Sequence, residues 1–182
     1  MNVTVYLSSR SGISRNFEEA VKVLAMGLGA IGANLVYGGS NAGQMHTLAE
    51  TAKKAGAEVI GVIPEVFRHL ADPLADRIVY TGDLGERKSK LCELGDVYVA
   101  LPGGIGTVDE VMSTLAEMTV HRDFSKKIIL INIDGVFSPL IRQLELMVEL
   151  NLASPEAVDA IVAAGSAGEC LEIIKELKIK TE

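Results

Sequence analysis

The chain has 182 residues, 48% of them apolar, and a formal net charge of −7. That length suits one domain with a full-sized core, and the acidic balance argues against nucleic acid as the main partner, because such binding needs a basic footprint. Two cysteines without metal-ligand spacing, apolar runs no longer than a strand, and an opening segment Met1 to Tyr6 that reads directly as a strand speak against a structural zinc site, a membrane span and a signal peptide, so a cytoplasmic protein with reduced thiols is expected.

Val3 to Leu7 alternates around Thr4 and reads as the first strand. Ser8 to Gly12 follows as a polar turn at that strand's carboxyl end, where open α/β sheets place ligands. Asn16 is positioned to cap a helix. Its residues Phe17, Ala20, Val21, Leu24 and Leu28 recur at helical spacing and form a core-facing stripe, and Gly32 stops it. Asn34 to Tyr37 is the second strand, entering Gly38 and Gly39. Gln44 to Ala55 is helical. Glu58 to Ile63 is the third strand, closed by Pro64. Glu65 to Pro73 is a loop or short helix, and Arg77 to Thr81 is the fourth strand. Gly85 to Leu94 is a helix with Arg87, Lys88 and Lys90 near its start. On pattern alone that is a solvated face.

Val97 to Leu101 is apolar and rich in β-formers, a fifth strand buried on both faces. Pro102 ends it, having no N–H to donate. Gly103, Gly104 and Gly106 permit a sharp turn, and Thr107 and Glu110 open a helix with Val111, Leu115 and Met118 inward. The free N–H groups and dipole of such a helix start favour an anion. Thr107 and Glu110 also have the spacing of a capping box, which is purely structural. The P-loop motif fails, because no Gly-Lys-Ser/Thr follows. The dinucleotide fingerprint fails too, with Asp109 where its third glycine belongs.

Lys127 to Ile133 is another strand and Asp134-Gly135 a turn. Leu140 to Leu150 is an amphipathic helix, broken by Asn151 to Pro155. Ala157 to Ala164 reads as a short last strand, Ser166 to Leu177 as the closing helix, and Lys178 to Glu182 as a polar tail. No repeat or linker interrupts this. Alternating strands and helices imply one α/β domain over residues 1–182, with a doubly wound, Rossmann-like parallel sheet. Ser8 to Gly12, Gly38 to Met45 and Leu101 to Thr107 would converge at the carboxyl ends of its strands.

The string Pro102-Gly-Gly-Ile-Gly-Thr-Val-Asp-Glu110 resembles the signature of the Lonely Guy family, phosphoribohydrolases that release the base from cytokinin nucleoside 5′-monophosphates. Members are often labelled lysine decarboxylase-like. The resemblance extends over nearly the whole chain, through Ser8 to Gly12, Gly38 to Ser40, Glu86 to Lys88, Asn132 to Gly135 and the last helix. It implies that Arg87 and Glu110 are catalytic. It implies substrate or phosphate contacts for Ser8, Gly12, Gly39, Gly43, Met45, Lys88, Gly103, Gly104, Ile105, Gly106 and Thr107. An arginine suits its role because its planar fork grips phosphate or ribose oxygens and keeps its charge. A carboxylate facing the ribose would stabilise an oxocarbenium-like transition state and activate water. The substrate would be a cytokinin riboside 5′-monophosphate or AMP, with no metal or organic cofactor. The resemblance also implies a homodimer formed around Val108 to Thr119 and His121 to Asp123, with Arg122 approaching the partner's site.

The chain departs from the family's usual pattern in one loop. Ser40, Gln44 and His46 stand where glycine, leucine and glycine are usual, so a Gln and a His either alter which base fits or point to solvent. Glu65, His69 and Asp72 offer no clear counterpart to a substrate-contacting glutamate of that region. Two rival readings follow. One is a nucleotide-binding or sensor module of the same fold that does not cut. The other is a pyridoxal-phosphate decarboxylase, which needs a Schiff-base lysine that no lysine context here suggests. Fold alone does not settle the substrate.

Overall fold

Seven strands form one sheet in the computed structural model, which describes residues 1–179. In chain order they are β1 (Asn2–Tyr6), β2 (Asn34–Tyr37), β3 (Val59–Pro64), β4 (Arg77–Thr81), β5 (Val97–Ala100), β6 (Ile128–Ile131) and β7 (Ile161–Ala164). The helices are α1 (Arg15–Ala30), α2 (Gly43–Lys54), α3 (Leu84–Leu94), α4 (Ile105–His121), α5 (Ser138–Glu149), α6 (Pro155–Asp159) and α7 (Ala167–Ile179). The spatial order is β4-β3-β2-β1-β5-β6-β7. Every neighbouring pair is parallel. This is the doubly wound, Rossmann-like α/β fold expected from the alternation of elements.

The winding reverses beside β1. The chain adds β2, β3 and β4 outward on one side, then crosses back through α3 to lay β5 on the other. The loops leaving β1 and β5 therefore diverge and open a crevice at the carboxyl ends of the strands. β3, β5 and β6 are buried along their whole length, as parallel strands covered on both faces must be. Side-chain alternation sorts β1 between two cores. Val3 and Val5 join Leu24, Leu48 and Ile174 beneath α1, α2 and α7, while Tyr6 joins Tyr98, Val111 and Leu144 beneath α3 to α6.

Several expected boundaries are corrected. α1 starts at Arg15 behind Ser14, so Asn16 lies inside the helix and caps nothing. Ala25 belongs to its buried stripe, and Phe17 is only half-buried. Residues Glu65–Leu70 form a 3₁₀ turn. The segment read as one strand from Ala157 begins as helix. Pro155 opens α6, whose capping Ser154 hydroxyl accepts from the Ala157 N–H, and only Ile161–Ala164 is extended. α7 runs on through Ile179, with Lys178 Nζ donating to the Ile31 carbonyl at 2.9 Å. The rest of the expected tail lies outside the described residues. No described helix is long and apolar enough to cross a membrane.

Candidate active site

The crevice holds a cavity of about 570 Å³. Leu7 to Arg10 bound it from the β1 loop, Met45 from α2, and Leu84, Arg87 and Lys88 from α3. Gly104 to Thr107, Asp109 and Glu110 bound it from α4.

α4 begins at Ile105, two residues before Thr107, behind Gly104. Gly104 has no side chain to satisfy the helix's first N–H groups, and among the described residues no other side chain caps them. The expected capping box is therefore absent. Thr107 sits third in the helix, 2% exposed, beneath the glycine turn. A Cβ at Gly103 would lie 2.1 Å from its Oγ1, so only glycine lets the turn fold this tightly. The uncapped N–H groups and the helix dipole are left for an anion in the cavity. Glu110, relieved of capping, lies one turn deeper.

Asp83 caps α3 by accepting from the Glu86 N–H at 2.8 Å, and Glu86 Oε2 accepts from the Gly82 N–H at 2.6 Å. This fixes the first turn and the side chain of Arg87. Its Nε donates to the Val62 carbonyl at 3.1 Å, and its Nη1 donates to Glu110 Oε1 at 2.8 Å. The two side chains are 12% and 9% exposed. A Cβ at Gly38 would lie 2.4 Å from Arg87 Nη2, so the glycine loop after β2 makes room for the guanidinium. Burial is the largest influence on the Glu110 carboxyl and pushes it above the ordinary range; Arg87 opposes that rise without cancelling it. Such a carboxylate is a stronger base than an exposed one. Beneath it, Tyr6 Oη lies 2.8 Å from Thr114 Oγ1, which donates to the Glu110 carbonyl at 2.9 Å. At the rim, Lys88 Nζ donates to both oxygens of Asp109 at 3.0 and 3.1 Å.

Of the residues expected at the site, Ser8, Met45, Arg87, Lys88, Gly104, Ile105, Gly106, Thr107 and Glu110 line the cavity. Gly12, Gly39, Gly43 and Gly103 do not. Gly39 and Gly43 have positive φ, and a Cβ at Gly43 would come within 2.1 Å of the Ser9 carbonyl oxygen. They shape the walls from behind. Leu7, Leu84 and Asp109 also line it, unforeseen, and Ser9 and Arg10 line it as members of the expected Ser8 to Gly12 turn. Asp109 adjoins Glu110, and Arg10 lies inside the turn singled out after β1, but neither carries a signal separable from an ordinary surface charge.

Gln44 and His46 of the altered loop do not line the cavity, and the His46 side chain is 41% exposed. His46 is off the cavity wall, its Nδ1 2.9 Å from Asp72 Oδ2, and Asp72 is 1% exposed. The Asp72 N–H donates to the Gly39 carbonyl and the Asn41 N–H to the Leu70 carbonyl, at 2.8 and 2.9 Å, so the 3₁₀ turn is clipped onto the glycine loop. Gln44 is 5% exposed, with Nε2 3.3 Å from Glu18 Oε1 and its own Oε1 buried without a partner. Glu65 pairs with Arg68, and neither it nor His69 nor Asp72 reaches the cavity.

Residues 45–174 match the family described as "Possible lysine decarboxylase". A cytokinin riboside 5′-monophosphate phosphoribohydrolase of Arabidopsis thaliana is 30% identical over 178 residues, covering 96% of this chain and 81% of that one. A probable enzyme of the same name from Oryza sativa subsp. japonica is 31% identical over 176 residues, covering 94% and 82%. The chain belongs to the Lonely Guy family. Lonely Guy relatives are named as phosphoribohydrolases, which makes this a family of hydrolases. The molybdenum cofactor binding protein of Rippkaea orientalis shares 25% identity and a TM-score of 0.74 over 97% of this chain and 96% of its own. The molybdenum cofactor carrier protein of Chlamydomonas reinhardtii, at 22% identity and a TM-score of 0.75 over 98% of each chain, shares the fold. The decarboxylase label finds no matching chemistry in the cavity. Lys88 is the only lysine on its wall among the described residues, and its ammonium is spent on Asp109.

Proposed function

We propose that this chain hydrolyses the N-glycosidic bond of a cytokinin riboside 5′-monophosphate to free base and ribose 5-phosphate. The observation that carries this reading is the buried Arg87–Glu110 pair, 2.8 Å apart and one turn beyond an uncapped helix N-terminus. The 5′-phosphate docks on the N–H groups of Gly104 to Thr107. The ribose then extends toward Glu110. As the bond to the base lengthens, positive charge grows at the anomeric carbon, and the Glu110 carboxylate stabilises it. Glu110 takes a proton from water, the water oxygen bonds to that carbon, and the base leaves with the bonding pair and takes up a proton. Arg87 holds the carboxylate in place and offers its remaining N–H groups to ribose or phosphate oxygens.

Product analysis tests this. Incubation with isopentenyladenosine 5′-monophosphate is expected to release base and ribose 5-phosphate, with AMP as the comparison and Glu110→Gln as the inactive control. Absence of base from the prenylated nucleotide and from AMP overturns the reading. A second reading is a nucleotide-binding module without turnover, supported by the likeness to a molybdenum cofactor binding protein. It predicts saturable nucleotide binding with no base released.

A homodimer is part of the proposal. Ile105, Val108, Ala116 and Val120 lie at helical spacing on the outer face of α4; Ile105 is 91% and Val120 77% exposed. Arg122 ends this 17-residue helix, about 25 Å along its axis from the cavity end. A two-fold contact between antiparallel α4 helices covers the stripe and brings each Arg122 to the partner's crevice.

A further inference from the structure

We propose that Arg10 is a substrate-binding residue, taking a phosphate oxygen from the wall opposite the α4 N-terminus. This rests on the nucleotide reading of the cavity and extends it to a side chain outside the family signature. The first argument is charge. Five charged side chains line the cavity, and four of them cancel as Arg87–Glu110 and Lys88–Asp109. Arg10 is the fifth, and among the described residues no carboxylate lies within ion-pair distance of its guanidinium. The net side-chain charge of the wall is therefore the charge of Arg10. A nucleotide 5′-phosphate brings a charge of about −1.5 to −2. The helix end returns only about half a positive charge. An arginine across the crevice supplies a whole one, in a fork that fits two phosphate oxygens.

The second argument is placement. β1 and β5 are neighbours in register from Val3↔Val97 to Tyr6↔Ala100, and the Leu101 N–H donates to the Tyr6 carbonyl at 2.9 Å. The two loops thus leave adjacent strands, about 4.8 Å apart at their roots, and face each other across the switch point. The β1 loop is seated from behind. Its Ser9 carbonyl abuts Gly43 at the start of α2, and the Arg10 N–H donates to Ser8 Oγ at 3.1 Å. The backbone is held while the side chain of Arg10 faces the cavity.

The test is calorimetric titration of the wild type, Arg10→Ala and Arg10→Lys with ribose 5-phosphate, and with ribose as the phosphate-free control. The wild type is expected to bind ribose 5-phosphate, Arg10→Ala about 10- to 100-fold more weakly, and Arg10→Lys in between. Ribose is expected to show no such ranking. In turnover, Arg10→Ala raises KM by the same factor and changes kcat less than about threefold, because the contact is made equally in ground and transition states. Among the described residues the Arg10 side chain has no partner to lose, so an unchanged melting temperature accompanies the variant. Equal affinity of Arg10→Ala and wild type for ribose 5-phosphate overturns the role of Arg10 alone. Failure of the wild type to bind ribose 5-phosphate overturns the nucleotide reading beneath it.

Discussion

Two opposed influences act on the Glu110 carboxyl, burial raising its proton affinity and Arg87 lowering it, and burial prevails. The folded value therefore lies above the unfolded one. Chemistry that needs the carboxylate is lost on protonation, so kcat/KM should rise with pH through an acid limb displaced above the ordinary glutamate value of about 4.3. Stability runs the other way. The contribution of this group is fully present below the unfolded value and is lost as pH rises through the folded one. Glu110→Gln should cut kcat at least about 10²-fold and flatten the slope of stability against pH in that window. An acid limb at the ordinary glutamate value would refute the assignment. Gln44 carries the opposite kind of burial, an amide oxygen with no partner among the described residues. Gln44→Leu should stabilise the fold by about 1 kcal/mol in denaturant titration, because the unmatched oxygen is removed and the Glu18 contact, at 3.3 Å, is weak. The likeness to a known signature marked Glu110 in the sequence. The same likeness marked Arg87, which on pattern alone is only a charged helix start, but their direct pairing was not legible, because 23 residues and a crossover separate the two.

The start of α4 turns on where the glycines end. Thr107 and Glu110 have capping-box spacing, which pointed to a helix beginning at Thr107, yet glycine at 104 and 106 lets it begin at Ile105. A local pattern was present, and a tighter turn packed on Thr107 took precedence. The same limit applies to Ala157 to Ala164, a small apolar run that fits a helix or a strand until its neighbour in the sheet is known. The clip between the glycine loop and the 3₁₀ turn was beyond reach, because His46 and Asp72 are 26 residues apart. It has a measurable strength. His46→Ala leaves a buried carboxylate with fewer partners and should cost about 1–2 kcal/mol locally, or roughly 5–30-fold faster amide exchange at Asn41 and Asp72. The Arg87–Glu110 pair shares no atom with the clip, so kcat should hold. Unchanged exchange would mean that the backbone bonds alone carry this contact.

The molecule as a whole was the most legible level, because alternating strands and helices with near-continuous apolar strands admit few arrangements. The order of the strands was not legible, since it depends on where the winding reverses. That reversal gathers the cavity from both halves of the chain and leaves the outer face of α4 bare. Val120→Asp on that face should turn a dimer into a monomer in sedimentation velocity, and that monomer should still fold, because Val120 is 77% exposed in the single chain. A wild type that sediments as a monomer at all concentrations would dispose of the two-fold contact.

The connection between α3 and β5 also divides the cavity's charges by sign. Arg10, Arg87 and Lys88 all come before it; Asp109, Glu110 and the glycine turn all come after it. Cleaved in the connection between α3 and β5, the chain becomes two pieces. One carries every cation of the crevice and four strands; the other carries every carboxylate and three. Neither piece holds a working site. Each presents at β1 or β5 the bare strand edge that the other covers, together with the counter-charge that the other lacks. Mixed, they should dock and regain turnover, which makes this fold a natural frame for a two-part reporter whose signal appears only when its halves meet.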